Sequence, residues 1–160
     1  LPDQDDVPQR SELRHVHDGP TELPVRLTLP VPPSPNRWKS NPFAQQAQKD
    51  EYRELVWVRS LKQVRPMRDP PSCVRVQATL YLCKLRDEDN ATGSLKWTLD
   101  ALRSEQRGHI RWRQGVADKC GYLYDDDLSH MRLTVTQVRV KTRKEERLEL
   151  EIEPCPTDTQ

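Results

Sequence analysis

A chain of 160 residues suits one domain with a modest core. Charged residues make up 32% and apolar residues 34%; no apolar run reaches membrane-spanning length, and clear periodicity in the middle excludes wholesale disorder. The net charge of +1 hides an uneven distribution: acids gather near the N-terminus, at 87–89 and at 125–127, and bases at 53–68, 103–119 and 139–144.

Residues 1–21 are acidic, contain proline and are poor in large apolar groups, and are expected to form a flexible tail. His15, His17 and Asp18 lie there, either as part of a metal site or as solvated side chains. The domain is expected over 22–154, with a short tail at 155–160. Val25, Leu27, Leu29 and Val31 alternate with polar residues or proline and predict a first strand. Pro32, Pro33 and Pro35 then impose an extended loop. In that loop Arg37, Trp38 and Lys39 either present a base-stacking surface with phosphate contacts or pack the loop onto the domain.

From Phe43 to about Val64 neither glycine nor proline interrupts a helix. Tyr52, Leu55 and Val56 predict its inner face, which Trp57, Val58 and Leu61 would broaden. Arg53, Arg59, Lys62 and Arg65 would lie largely outside it, as DNA contacts or an ordinary solvated face. Cys73–Cys83 is the clearest strand, with Val74, Val76, Ala78, Leu80 and Leu82 on one side. The polar turn Arg86-Asp87-Glu88-Asp89-Asn90 follows, then a short helix carrying Leu95, Leu99 and Leu102. Residues 103–120 support no definite element; Gly121 opens a turn into Asp125-Asp126-Asp127. Two strands close the domain, Met131–Val140 and one holding Leu148, Leu150 and Ile152. A parity shift between Val135 and Val138 predicts a bulge. The order predicts an α/β (α+β) domain, a mixed sheet of about four strands covered by helices, with strand order left open. The four cysteines lack zinc-knuckle or redox spacing, and free thiols in a reducing cytoplasm are the simplest expectation.

Asp87 and Asp89 follow the strongest strand. If extended backbone persists, alternation carries both to one side, where they can hold a hard divalent cation. Asn90 would add an oxygen or orient a carboxylate, and Asp125 and Asp126 precede another strand that a fold could bring alongside. A solvated acidic turn has the same sequence signature.

Leu29-Pro30-Val31-Pro32-Pro33-Ser34-Pro35-Asn36-Arg37 resembles the opening strand and loop, and Asp87-Glu88-Asp89-Asn90 the Asp-x-Asp-Asn turn, of the RusA family of Holliday junction resolvases. Lys96 with Asp100-Ala101-Leu102 resembles the helix after that turn, Gly121–Asp126 the glycine and paired aspartates, and Leu148–Ile152 the closing strand. The resemblance implies a homodimeric, Mg²⁺-dependent endonuclease (Mn²⁺ being an alternative) that nicks four-way DNA junctions in recombination and repair. In it Asp87, Asp89 and Asp126 would be catalytic carboxylates and metal ligands, Asp125 an auxiliary ligand, and Lys96 the catalytic lysine. Arg37, Lys39, Arg86, Arg111 and Arg113 are the expected DNA contacts, and the cytoplasm of a bacterium, encoding the chain itself or hosting its phage, is the expected setting. The segment Ala91–Ser94 and the stretch between Leu102 and Gly121 are longer than the family pattern. The first leaves Lys96 either catalytic or an exposed helix lysine paired with Asp100. A non-catalytic branched-DNA-binding protein is the alternative function.

Overall fold

The structure, a computed structural model, describes residues 23–67, 70–103, 121–124 and 129–156. Strict alternation in Val74–Leu82 (β2) buries Val74, Val76, Ala78, Leu80 and Leu82 on one face. A strand with one apolar face needs neighbours in its sheet and a cover over that face. β4 (Arg147–Pro154) pairs with β2 antiparallel and β3 (Met131–Arg139) pairs with it parallel. β1 (Val25–Leu29) pairs antiparallel with the far side of β4, giving the order β1-β4-β2-β3. Inward rows cross the sheet in register, as in Leu27, Leu150, Ala78 and Val135. The expected mixed sheet of four strands in one α/β domain is therefore present.

Helices cover the apolar face. α1 (Pro42–Gln63) starts at Asn41, whose Oδ1 accepts from the backbone N–H of Phe43 and Ala44 at 2.9 and 3.2 Å, with Pro42 in the first position. α2 (Glu88–Ser94) and α3 (Lys96–Leu102) share Leu95 as the residue between them. Tyr52, Val56 and Trp57 of α1 join Leu95, Trp97, Leu99 and Leu102 in the core. The Tyr52 hydroxyl donates to the Pro30 carbonyl at 2.9 Å and shares a hydrogen bond with Thr98 Oγ1 at 2.9 Å, and burial pushes the phenol well above its ordinary pKa.

Three expectations are corrected. The inner face of α1 is Tyr52, Val56, Trp57 and Ser60, whereas Leu55, Val58 and Leu61 are 40%, 38% and 39% exposed. Arg53, expected outside the stripe, is half-buried, and burial lowers its pKa against the opposing pull of Asp100 and Asp50. β3 has no bulge: its register with β2 is unbroken, Gln137 takes the inward slot in the row of Leu29, Leu148 and Leu80, and Val138 faces outward.

The expected free thiols are also corrected in part. Cys73 and Cys155 form a disulfide across the end of the sheet, with Cα atoms 5.6 Å apart, while Cys83 is free; Cys120 lies outside the described residues. On the free edge of β1, the Gln63 side chain accepts from Thr28 N–H at 2.7 Å and donates to Thr28 C=O at 2.6 Å. No helix among the described residues is long and apolar enough to cross a membrane.

Candidate active site

β2 ends at Leu82, and the chain turns through Cys83–Arg86 before α2. Gln137 fixes the end of this turn: its Oε1 accepts from Arg86 N–H at 2.8 Å and its Nε2 donates to Arg86 C=O at 2.9 Å. The inward polar residue of β3 thus substitutes for a strand partner and holds the residue before Asp87. Its sequence signal was the break in apolar parity, which the side-chain amide explains without an extra residue.

Asp87 has extended backbone (φ −57°, ψ 150°) and α2 begins at the next residue. Strand alternation therefore does not relate Asp87 to Asp89, and the expectation that it would is overturned. Helical geometry takes over: Asn90, three residues on, donates Nδ2 to Asp87 Oδ2 at 3.5 Å. Asp87 and Asp89 are both exposed, and neither forms an ion pair among the described residues.

Two arginines, Arg86 and Arg37, are close enough to feel each other's charge at the root of this turn. The Arg86 guanidinium is half-buried, and burial lowers its pKa; Glu146 and Tyr52 oppose that shift, while Arg37 adds to it. Arg86 Nη1 is buried without a hydrogen-bond partner among the described residues. Arg37 ends the 3-10 turn Pro35–Arg37, which packs against α2; a Cβ on Gly93 would stand 3.4 Å from Pro35 Cγ. Lys39 is exposed, with its backbone N–H held by Gln48 Oε1 at 3.1 Å. Trp38 packs its loop onto the domain: its ring stacks on Trp97 at 4.7 Å and 11°, and its Nε1 donates to Pro33 C=O at 3.3 Å. The base-stacking role considered for Trp38 is replaced by this packing.

Lys96 opens α3 and is exposed. Its anticipated pairing with Asp100 does not form. Asp100 is buried and meets Lys49 at 3.2 Å and Arg103 at 3.6 Å. Sequence reasoning missed this network, because Lys49 sits on another helix and gives no local pattern.

Asp125, Asp126, Arg111 and Arg113 lie outside the described residues, as do His15 and His17. The described flanks of the second acidic segment are fixed near the start of β3. The Tyr124 ring meets His130 at 4.7 Å, His130 Nδ1 lies 2.7 Å from Ser72 O, and Val74 N–H donates to His130 C=O at 3.0 Å. Gln137, which holds Arg86, is six residues beyond Met131, a path of about 20 Å at the usual rise of an extended strand. The anchored neighbours of the two acidic segments thus sit toward opposite ends of β3. Among the described residues, no three His, Cys, Asp or Glu side chains are grouped closely enough to hold a metal ion. No family model matches the chain, and no curated protein matches it either.

Proposed function

We propose that the protein is a divalent-metal-dependent endodeoxyribonuclease that cuts four-way or related branched DNA by paired phosphodiester hydrolysis, acting as a homodimer in recombination and repair. The observation that carries this reading is the pair Asp87 and Asp89, exposed and free of ion-pair partners among the described residues, on a turn whose root, the Arg86 backbone, is held by Gln137. Unpaired carboxylates at a fixed turn suit a hard cation such as Mg²⁺ or Mn²⁺, which prefers oxygen ligands. When bound, such an ion polarises a phosphate oxygen and makes water a better nucleophile.

In this proposal Asp87 and Asp89 hold the ion; the roles of Asp126 as a further ligand and Asp125 as its helper require the second acidic segment, whose described neighbours lie toward the other end of β3, to reach this turn. Arg86 and Arg37 draw the scissile phosphate toward the carboxylates, and Lys39, Arg111 and Arg113 grip the flanking backbone. Lys96 stabilises the charge that builds on the phosphorus oxygens. Paired cleavage needs two such sites facing a roughly twofold junction. Bacterial cytoplasm, with chromosomal or phage DNA, would supply the substrate. The Cys73–Cys155 bond runs against that compartment, where thiols are kept reduced.

The second reading is a non-catalytic protein that binds branched DNA. It is favoured by the placing of the two acidic segments' described neighbours, Arg86 and His130, toward opposite ends of β3. Labelled four-way, forked and linear DNA, incubated with and without Mg²⁺, separates the two. The nuclease reading expects Mg²⁺-dependent nicking of the junction, abolished by Asp89→Asn while junction binding persists. Binding without nicking selects the second reading, and nicking that survives Asp89→Asn removes this turn from the chemistry.

A further inference from the structure

α1 has two apolar sides. One faces the sheet through Tyr52, Val56 and Trp57. The other, centred on Leu55 and Val58, is turned away from the core and leaves these side chains 40% and 38% exposed. Charge along this outward side is ordered. Glu51 and Glu54 precede the apolar centre, Arg59 and Lys62 follow it, and all four are exposed. None of the four forms an ion pair among the described residues.

The helix macrodipole accounts for only part of this order. Its influence fades within the first and last turns, so it explains Lys62 but not Glu51 and Glu54, which lie well inside the helix. An antiparallel copy of the same helix uses the whole pattern. With a twofold axis passing between Val56 and Trp57, Leu55 meets the partner subunit's Val58. Glu51 then meets the partner subunit's Lys62, and Glu54 meets the partner subunit's Arg59. A parallel copy would instead oppose Glu51 to its own equivalent. We infer that the outward face of α1 is a self-association surface, which docks antiparallel on the same face of a second copy of this chain.

An isologous contact of this kind closes as a dimer and leaves no further copy of the face exposed. One helix face buries less than the roughly 800 Å² per partner of a standard interface. Association is therefore concentration-dependent and weakens with salt, since its flanking pairs are exposed. The proposed nuclease function gives the dimer its use. Association is measured without DNA or metal, so failure here leaves the cleavage assay to decide that function separately.

The experiment is sedimentation velocity over a concentration series with the full chain, each variant's fold being checked by circular dichroism. Wild type is expected to move from monomer toward dimer mass as concentration rises, and V58E to stay monomeric. The double variants E51K/E54K and R59E/K62E each oppose like charges and are expected to be monomeric alone. Mixed in equal amounts they present a basic face to an acidic one, and dimer mass should return. A wild type that stays monomeric throughout, double variants that dimerise alone, or a mixture that remains monomeric would each overturn the assignment.

Discussion

Asp100 and the pair Asp87 and Asp89 are aspartates of neighbouring helices in very different surroundings. Asp100 is buried between α1 and α3 and is neutralised by Lys49 and Arg103, with Arg53 close enough to feel its charge. Asp87 and Asp89 stand exposed and have no cationic partner among the described residues. A buried carboxylate must be matched by the protein itself, so its partners are part of the fold. An exposed one can wait for an external cation. The two settings divide the roles: Asp100 ties two helices together, and the acidic turn is available to a ligand.

Substitutions should separate these roles, and the largest effect is expected at the turn. Asp89→Asn should reduce Mg²⁺-dependent nicking to background in a gel assay while leaving the urea midpoint where it was. A shifted midpoint would mean that Asp89 belongs with Asp100 as a structural group. Asp100→Ala should do the reverse. Removing one member of a buried charge network leaves its partners unmatched and costs roughly 3 kcal/mol, read as a lower urea midpoint. A loss well below 1 kcal/mol would show that water already screens Lys49 and Arg103.

Gln137, part-buried on the inward side of β3, holds the backbone at the root of the acidic turn. Gln137→Ala removes two hydrogen bonds to Arg86 and should cost about 1–2 kcal/mol. It should also slow cleavage, whereas an unaltered rate would mean that α2 positions Asp87 unaided. The smallest effect is expected on the polar face of the sheet. Hydrogen bonding to Arg147 holds Glu149 below the usual glutamate range, and Arg75 does the same for Glu153. A depressed carboxylate pKa stabilises the fold above the unfolded value of about 4.3, and this contribution is lost as pH falls through the folded value. Carboxyl NMR titration should find both midpoints below that reference, and ordinary midpoints would show that solvent cancels the pairs.

The strands were legible because alternation in β2 and β4 matches burial residue by residue. The extent of α1 was legible for a similar reason, but its inner face was not. Periodicity finds apolar arcs, and α1 has two; Ser60 goes inward and Val58 outward because of packing against α3 and the sheet. At Gln137 a polar side chain takes an inward, part-buried slot because its amide has backbone groups to bond. Its local trace, a break in apolar parity, reads equally as a bulge, and only the tertiary contact with Arg86 decides between them. The acidic turn was legible as a cluster of charge. Its geometry was not, because a helix begins at the residue after Asp87, where extended backbone had been extrapolated. The disulfide joins cysteines 82 residues apart, and only the pairing of Val74 with Pro154 brings them together.

The Gln63 amide has a consequence at the other border of the sheet. β1 is an edge strand, and an edge strand is a template on which any passing segment can add itself. Thr28 would be a point of attachment, since its peptide groups face away from β4. The Gln63 side chain occupies both of them, imitating one peptide unit of an added strand. A foreign strand must therefore first displace a group tethered to α1, and Pro30 removes a donor just beyond. Replacing Gln63 by a residue without an amide would unmask this border, and fibrillar aggregation by strand addition is the hazard it would release.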